Sequence, residues 1–232
     1  MQPRKLPSLL LIVSLFWVPA ASAETIAIIG TGDVAGALGP EFAAQGHTII
    51  FGSRKPEGRK ARDVVTKTGH DASVTSPSAA AKESDIVVLA VPGMLVKEIT
   101  EGLGDLSGKI IIDPTNPMER KLMAFHHAVA TSNAEIIQNV APDANVVKAF
   151  NTLSWKTMID PDSAGGPVSI PIAGDSRSAK KVVAKLAEGM GLEPIDVGGV
   201  ENAHWVEGML ILWINNRFST RDSFDFHLRK TK

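Results

Sequence analysis

Short apolar runs with little polar alternation recur along the chain at 25–29, 48–51, 73–75, 86–91, 110–113, 146–150, 170–173 and 194–197. A strand with one wet face alternates apolar and polar residues, whereas unbroken runs belong to strands covered on both faces, as in a parallel sheet between helix layers. Between them, apolar residues at helical spacing predict helices over 34–45, 60–67, 78–83, 95–101, 134–140 and 178–189. Strand and helix alternate from end to end, which makes the fold class α/β with a doubly wound, mostly parallel sheet. A last helical pattern at 201–218 lines up Trp205, Met209, Leu212 and Trp213. It predicts a C-terminal helical extension whose two tryptophans join the core, and the same stripe would also suit the interface of a homodimer. Pro40 falls inside the first helix, where it cannot donate toward the Gly36 carbonyl, so a kink is expected at Gly39-Pro40. Gly46 is expected to close that helix in a left-handed conformation.

The first strand runs directly into Gly30-Thr31-Gly32-Asp33-Val34-Ala35, which opens the first helix. This is the strand, glycine turn and helix of a Rossmann-like dinucleotide site. Gly30 allows the tight turn, Gly32 lets bare main chain approach the diphosphate, and Ala35 lets helix and strand pack closely. The helix N-terminus then offers free N–H groups and a positive dipole end to the anion, so Thr31, Asp33 and Val34 are candidate cofactor contacts. About twenty residues beyond such a turn, a carboxylate selects the ribose 2′-hydroxyl of NAD, while arginine accommodates the 2′-phosphate of NADP. Here the second strand ends in Phe51-Gly52-Ser53-Arg54-Lys55. A hydroxyl and two cations without a carboxylate predict NADP(H) over NAD(H), with a solvated basic loop as the alternative.

Ligands of open α/β sheets lie beyond the carboxyl ends of the strands. Three segments hold that position: Ala90-Val91-Pro92-Gly93, then Asp113-Pro114-Thr115-Asn116-Pro117, then Lys148-Ala149-Phe150-Asn151-Thr152. Asn116 and Asn151 could present amides to the nicotinamide end, or could only cap turns, as asparagine often does. Other chemistries find little support. His126 and His127 are adjacent and project to different sides of any helix, no His-Glu-x-x-His occurs, and no Gly-x-Ser-x-Gly elbow is present. His204, beside Trp205, reads as a half-buried packing residue, and no acid or base is assigned a catalytic role.

The chain begins like a secretory signal peptide: Arg4 and Lys5, an apolar core, then Pro19 and Ala21-Ser22-Ala23, with cleavage expected before Glu24. Its apolar core is well short of the ~20 residues that span a bilayer. Removing residues 1–23 of 232 leaves 209, enough for one NADP-binding domain, 24–232, with its C-terminal helix. Loss of Arg4 and Lys5 takes the formal net charge from −1 to −3, which implies neither a nucleic-acid partner nor an anionic membrane. The chain has no cysteine, hence no disulfide framework, thiolate metal site or thiol nucleophile, and it can fold in an oxidising compartment without mispairing. The expected location is therefore outside the cytoplasm, periplasmic or secreted.

Taken in order, the Gly-Thr-Gly-Asp-Val turn, Phe51-Gly52-Ser53-Arg54, Ala90-Val91-Pro92, Asp113-Pro114-Thr115-Asn116-Pro117, Val147-Lys148-Ala149-Phe150-Asn151-Thr152 and Ile172-Ala173-Gly174-Asp175 resemble two related groups. These are the NADP oxidoreductases that use the deazaflavin coenzyme and the cytosolic reductase domain of the STEAP metalloreductases. The resemblance covers residues 25–215. It implies NADPH as cofactor, a flavin or deazaflavin as co-substrate, and hydride transfer to that small-molecule redox acceptor. It implies Thr31, Asp33 and Val34 at the diphosphate, Ser53 and Arg54 at the 2′-phosphate, Ala90, Val91 and Pro92 along the adenosine-to-nicotinamide edge, and Asn116 and Asn151 at the nicotinamide. The acceptor would dock near Gly93, Asn116, Asn151 and Gly165-Gly166-Pro167. No counterpart of the membrane half of the metalloreductases is expected, and an exported protein either carries its nucleotide out or is not a turnover enzyme. Two other functions follow from that mismatch and from the fold: a non-catalytic exported nucleotide-binding protein, and a reductase of small imines or ketones.

Overall fold

The computed structural model describes residues 23–119, 124–125, 131–219, 224, 226–229 and 231. The expected leader therefore lies outside the described residues up to Ala23, as do His126 and His127. Six parallel strands form the main sheet: β1 (Thr25–Ile29), β2 (Thr48–Gly52), β3 (Ser73–Thr75), β4 (Ile86–Leu89), β5 (Ile110–Asp113) and β8 (Asn145–Lys148). Their spatial order is β3-β2-β1-β4-β5-β8, the doubly wound order with its reversal between β1 and β4. A two-residue antiparallel pair, β6 (Met118–Glu119) with β7 (Ala124–Phe125), leaves the main sheet after β5. Two more parallel strands, β9 (Ser169–Ile172) and β10 (Glu193–Asp196), adjoin β8 through an antiparallel bridge. In that bridge the amides of Lys148 and Ala173 donate to each other's carbonyls at 2.8 and 3.1 Å.

Alternation along the strands feeds two apolar layers. Ile26 and Ile28 face Leu38 and Phe42 of α1 (Asp33–Ala44) and Val183 and Leu186 of α7 (Arg177–Gly189). Ala27 and Ile29 face Ala80 and Ala81 of α3 (Pro77–Lys82), Val96 of α4 (Val96–Glu101) and Ile137 of α5 (Asn133–Val140). Each wholly buried isoleucine contributes roughly 1.5–3 kcal/mol to folding, and these layers account for the unbroken apolar runs. Serine N-caps begin α3, α5, α7 and the short α6 (Trp155–Ile159), through Ser76, Ser132, Ser176 and Ser154; at α5, Glu135 completes a capping box. α2 (Arg59–Thr68) follows the basic loop after β2.

Expected and observed elements differ by a residue or two at most ends, but four differences have physical causes. β4 stops at Leu89 because the Val91 amide turns back to the Leu89 carbonyl. β8 stops at Lys148 because Phe150 adopts φ +64°, a left-handed conformation that ends a strand. α1 is continuous through Pro40, and the Gly36 carbonyl that proline leaves without its helical partner instead accepts from Lys67 Nζ at 2.6 Å. Gly46 has φ +90° and closes the helix as expected.

The fourth difference is a correction. In α8 (Ala203–Ser219) Trp205 is 69% exposed and Leu212 59% exposed, so Trp205 is not in the core; Trp213 is half-buried and donates to the Phe224 carbonyl. The buried side of α8 is instead Ala203, Val206, Glu207 and Ile214. Residues two apart on a helix diverge by about 200°, so a helix that inserts Glu207 turns Trp205 outward. Its ring packs on half-buried His204, with centroids 4.3 Å apart. Among the described residues no helix is long and apolar enough to cross a membrane, and no group of three or more metal-ligating side chains is present.

Candidate functional site

The turn between β1 and α1 explains its own glycines. Gly30 has φ +121°, and a Cβ there would lie 2.2 Å from the Ala90 carbonyl oxygen, so this glycine is required by the close approach of β1 to the end of β4. Gly32 differs: its φ is −92°, which any residue adopts, and a Cβ would meet nothing within 4 Å. Its missing side chain leaves open space directly before a helix that has no side-chain cap. Asp33 and Val34 form the first turn behind that space, and Ala35 is wholly buried against the sheet. Thr31 is half-buried on the turn.

One strand over, the Ser53 amide donates to the Thr75 carbonyl at 2.9 Å, and its Oγ accepts from the Lys55 amide at 3.1 Å. The Gly58 amide closes the loop onto the Lys55 carbonyl. Arg54 and Lys55 are exposed beyond the carboxyl end of β2, whose Gly52 is in register with Ile29 immediately before the glycine turn. The predicted 2′-phosphate residues and the predicted diphosphate turn thus occupy adjacent strand ends.

At the other half of the carboxyl edge, Ala90 and Val91 are half-buried and Pro92 is exposed. The following Gly93 is pressed so closely on the Asn116 carbonyl that a Cβ would lie 1.8 Å from it. Asn116 and Asn151 are brought together. Asn151 Nδ2 donates to Asn116 Oδ1 at 3.0 Å, and Asn116 Nδ2 donates to the Asn151 carbonyl at 3.0 Å. Asn151 Nδ2 also reaches the Val206 carbonyl of α8 at 3.2 Å, while its Oδ1 is buried without a hydrogen-bond partner. Gly165-Gly166-Pro167 is an exposed loop that turns on itself through the Gly165 amide and the Asp162 carbonyl.

Close to the two asparagines lies a buried ionic group whose members are far apart in the sequence. Lys148, wholly buried, donates to the Thr115 carbonyl at 2.8 Å and is ion-paired with Asp113 Oδ2 at 2.6 Å and Glu207 Oε1 at 2.7 Å. Asp113 and Lys148 are register partners on β5 and β8. Asp113 Oδ1 accepts from the Thr115 hydroxyl at 2.6 Å, that hydroxyl accepts from Asn133 Nδ2 at 2.8 Å, and the Asn133 amide donates to Glu207 Oε1 at 2.9 Å. The circuit closes on Lys148. Burial pulls the Lys148 ammonium downward, yet the two carboxylates outweigh it and hold the group above its ordinary value. Burial, reinforced by the Asp113 charge, pushes the Glu207 carboxyl up despite the attraction of Lys148. Two signals for this group are present in the sequence: a lysine at the end of an apolar strand, and a glutamate within the mostly apolar first turns of α8.

The model of the family described as NADP oxidoreductase, coenzyme F420-dependent, matches residues 25–117. The F420-dependent NADP reductase of Methanocaldococcus jannaschii is 31% identical over 217 residues, covering 84% of this chain and 94% of its own length. Metalloreductase STEAP3 of Rattus norvegicus is 30% identical over 197 residues, but the match spans only 38% of that longer protein. Among solved structures, one assigned as an F420-dependent NADP reductase from Arthrobacter sp. FB24 superposes with a TM-score of 0.81 at 27% identity, covering 90% of this chain and all of the other. A reductive aminase of Aspergillus terreus, at TM-score 0.62 and 18% identity, shares the fold. The chain belongs to the coenzyme F420-dependent NADP reductase family of oxidoreductases.

Proposed function

We propose that the protein binds NADP(H) across the carboxyl edge of its sheet and exchanges hydride between the nicotinamide and a flavin or deazaflavin-type acceptor. The observation that carries this reading is the open cradle at Gly32, bare main chain before an uncapped helix N-terminus, next to a strand end bearing Ser53, Arg54 and Lys55. Asp33 and Val34 present main-chain N–H groups to the diphosphate, and Arg54 pairs with the 2′-phosphate. At the far end, the orphaned Asn151 Oδ1 offers an acceptor for the nicotinamide carboxamide, which would satisfy a buried polar atom that the chain itself leaves unpaired. Met94, 49% exposed beside Gly93, and Trp205, next to the Val206 carbonyl that holds Asn151, supply apolar surface for a planar acceptor.

The cofactor and acceptor supply the redox chemistry when bound, and the protein's share is orientation and exclusion of competing reactions. Residues 24–232 act in this reading as one exported NADP-binding domain, freed of residues 1–23, which N-terminal sequencing from the native compartment checks by a start at Glu24. Loss of NADPH absorbance with a deazaflavin, FMN or FAD tests the acceptor class. Oxidation by small imines alone, or binding with no turnover, rejects it. Arg54→Ala tests the cofactor: affinity for NADPH should fall about tenfold to a hundredfold while NADH changes little, because charge-assisted phosphate contacts contribute about 1.5–3 kcal/mol. Equal losses for both would reject the assignment.

A further inference from the structure

Three segments meet under the amide pair, and each contributes both to the buried ionic circuit and, through a near neighbour, to the pair. Thr115 belongs to the circuit and Asn116 to the pair; Lys148 to the circuit and Asn151 to the pair, across the left-handed turn at Phe150; Glu207 to the circuit, while the Val206 carbonyl holds Asn151. Displacing any circuit member therefore shifts an asparagine or its anchor. Both backbone groups of Lys148 are already fixed by the bridge to Ala173, so the ammonium is the point to which the β5 turn and α8 are referred.

We propose that Lys148, with Asp113 and Glu207, is a positioning residue for the nicotinamide end of the cofactor: the buried circuit sets the separation and orientation of Asn116 and Asn151 and makes that half of the site depend on a docked α8. The inference rests on the cofactor orientation given under the proposed function. The circuit holds one cation and two carboxylates, so removing Glu207 leaves a neutral Lys148–Asp113 pair and strands no charge. The adenosine half, built from the glycine turn and the β2 end, shares none of these residues.

The test is calorimetry on the purified full chain with two probes, NADP⁺ and adenosine 2′,5′-bisphosphate, the second of which lacks the nicotinamide. Glu207→Met, similar in length but unable to accept a hydrogen bond, should weaken NADP⁺ about tenfold and leave the bisphosphate within about twofold, as expected for members of one hydrogen-bonded network. Glu207→Gln retains an accepting oxygen and should restore most of the NADP⁺ affinity. Thr115→Val opens the circuit at an uncharged link and serves if the methionine variant does not fold; an about threefold loss confined to NADP⁺ is expected. Equal weakening of both probes, or unchanged NADP⁺ binding, overturns the positioning role and leaves the cofactor assignment standing. Wild-type protein that binds neither probe overturns both.

Discussion

The two ends of the proposed cofactor site are built on opposite principles. At the diphosphate end the chain withdraws: Gly32 carries no side chain into open space, α1 begins without the serine cap that starts four other helices, and Arg54 and Lys55 are exposed. At the nicotinamide end it crowds in, with Gly93 pressed on the Asn116 carbonyl and a wholly buried lysine shared by two carboxylates. An anion can be held by main-chain dipoles that any sequence possesses, so that end needs only room. A flat nicotinamide ring and its carboxamide must be aimed by side chains, and aiming requires a rigid support beneath them. The open positions of the first end therefore tolerate change in stability terms and fail in binding, while crowded positions fail in folding first.

The largest test of that contrast is Lys148→Met. It leaves Asp113 and Glu207 facing each other without their cation, and breaking a buried ion pair from one side costs about 3–5 kcal/mol. Urea unfolding should show a loss of that order, a large part of the stability of a typical domain; a loss under about 1 kcal/mol would mean that the circuit is not the support described. The glycines divide the same way at smaller scale. Gly30→Ala places a Cβ against the Ala90 carbonyl at positive φ and should destabilise the fold by at least about 1–2 kcal/mol. Gly32→Val meets nothing in the chain, so unfolding should stay within about 0.5 kcal/mol of wild type while NADPH binding is lost. If Gly32→Val instead unfolds the protein and still binds, the roles of the two glycines are reversed.

That same division explains which half was legible. The diphosphate end is a local pattern, strand then glycine turn then helix, and Gly30, Gly32, Ser53 and Arg54 lie within a few residues of the elements that place them. The doubly wound sheet is legible for a similar reason, since each strand's burial on both faces is written in its own apolar run. The ionic circuit is not local: Asp113, Lys148 and Glu207 come from β5, β8 and α8, separated by dozens of residues, and meet only through strand register and the docking of α8. The outward position of Trp205 has the same origin. Trp205, Met209 and Leu212 form the more hydrophobic stripe, yet a single buried glutamate decides which side of α8 faces inward. Pro40 shows the converse, a local rule for a kink answered by a distant lysine: Lys67 takes over the Gly36 carbonyl.

The smallest expected effect distinguishes the charge of the circuit from its shape. Burial, with Asp113 adding to it, raises the Glu207 carboxyl in the folded protein above its value in the unfolded chain. Between those two values the folded state holds a proton that the unfolded state has released, so stability contributed by that proton is present at the acid side and declines as pH rises through the window. The slope cannot exceed about 1.4 kcal/mol per pH unit for one proton. Glu207→Gln removes the titration while keeping an accepting oxygen toward Lys148 and Asn133. Its stability profile should therefore be flatter than wild type just above the ordinary carboxylate range, and the two curves should diverge upward in pH. Parallel curves across that range would mean that Glu207 titrates as an ordinary carboxylate, and that the difference between the two ends of the site is one of packing alone.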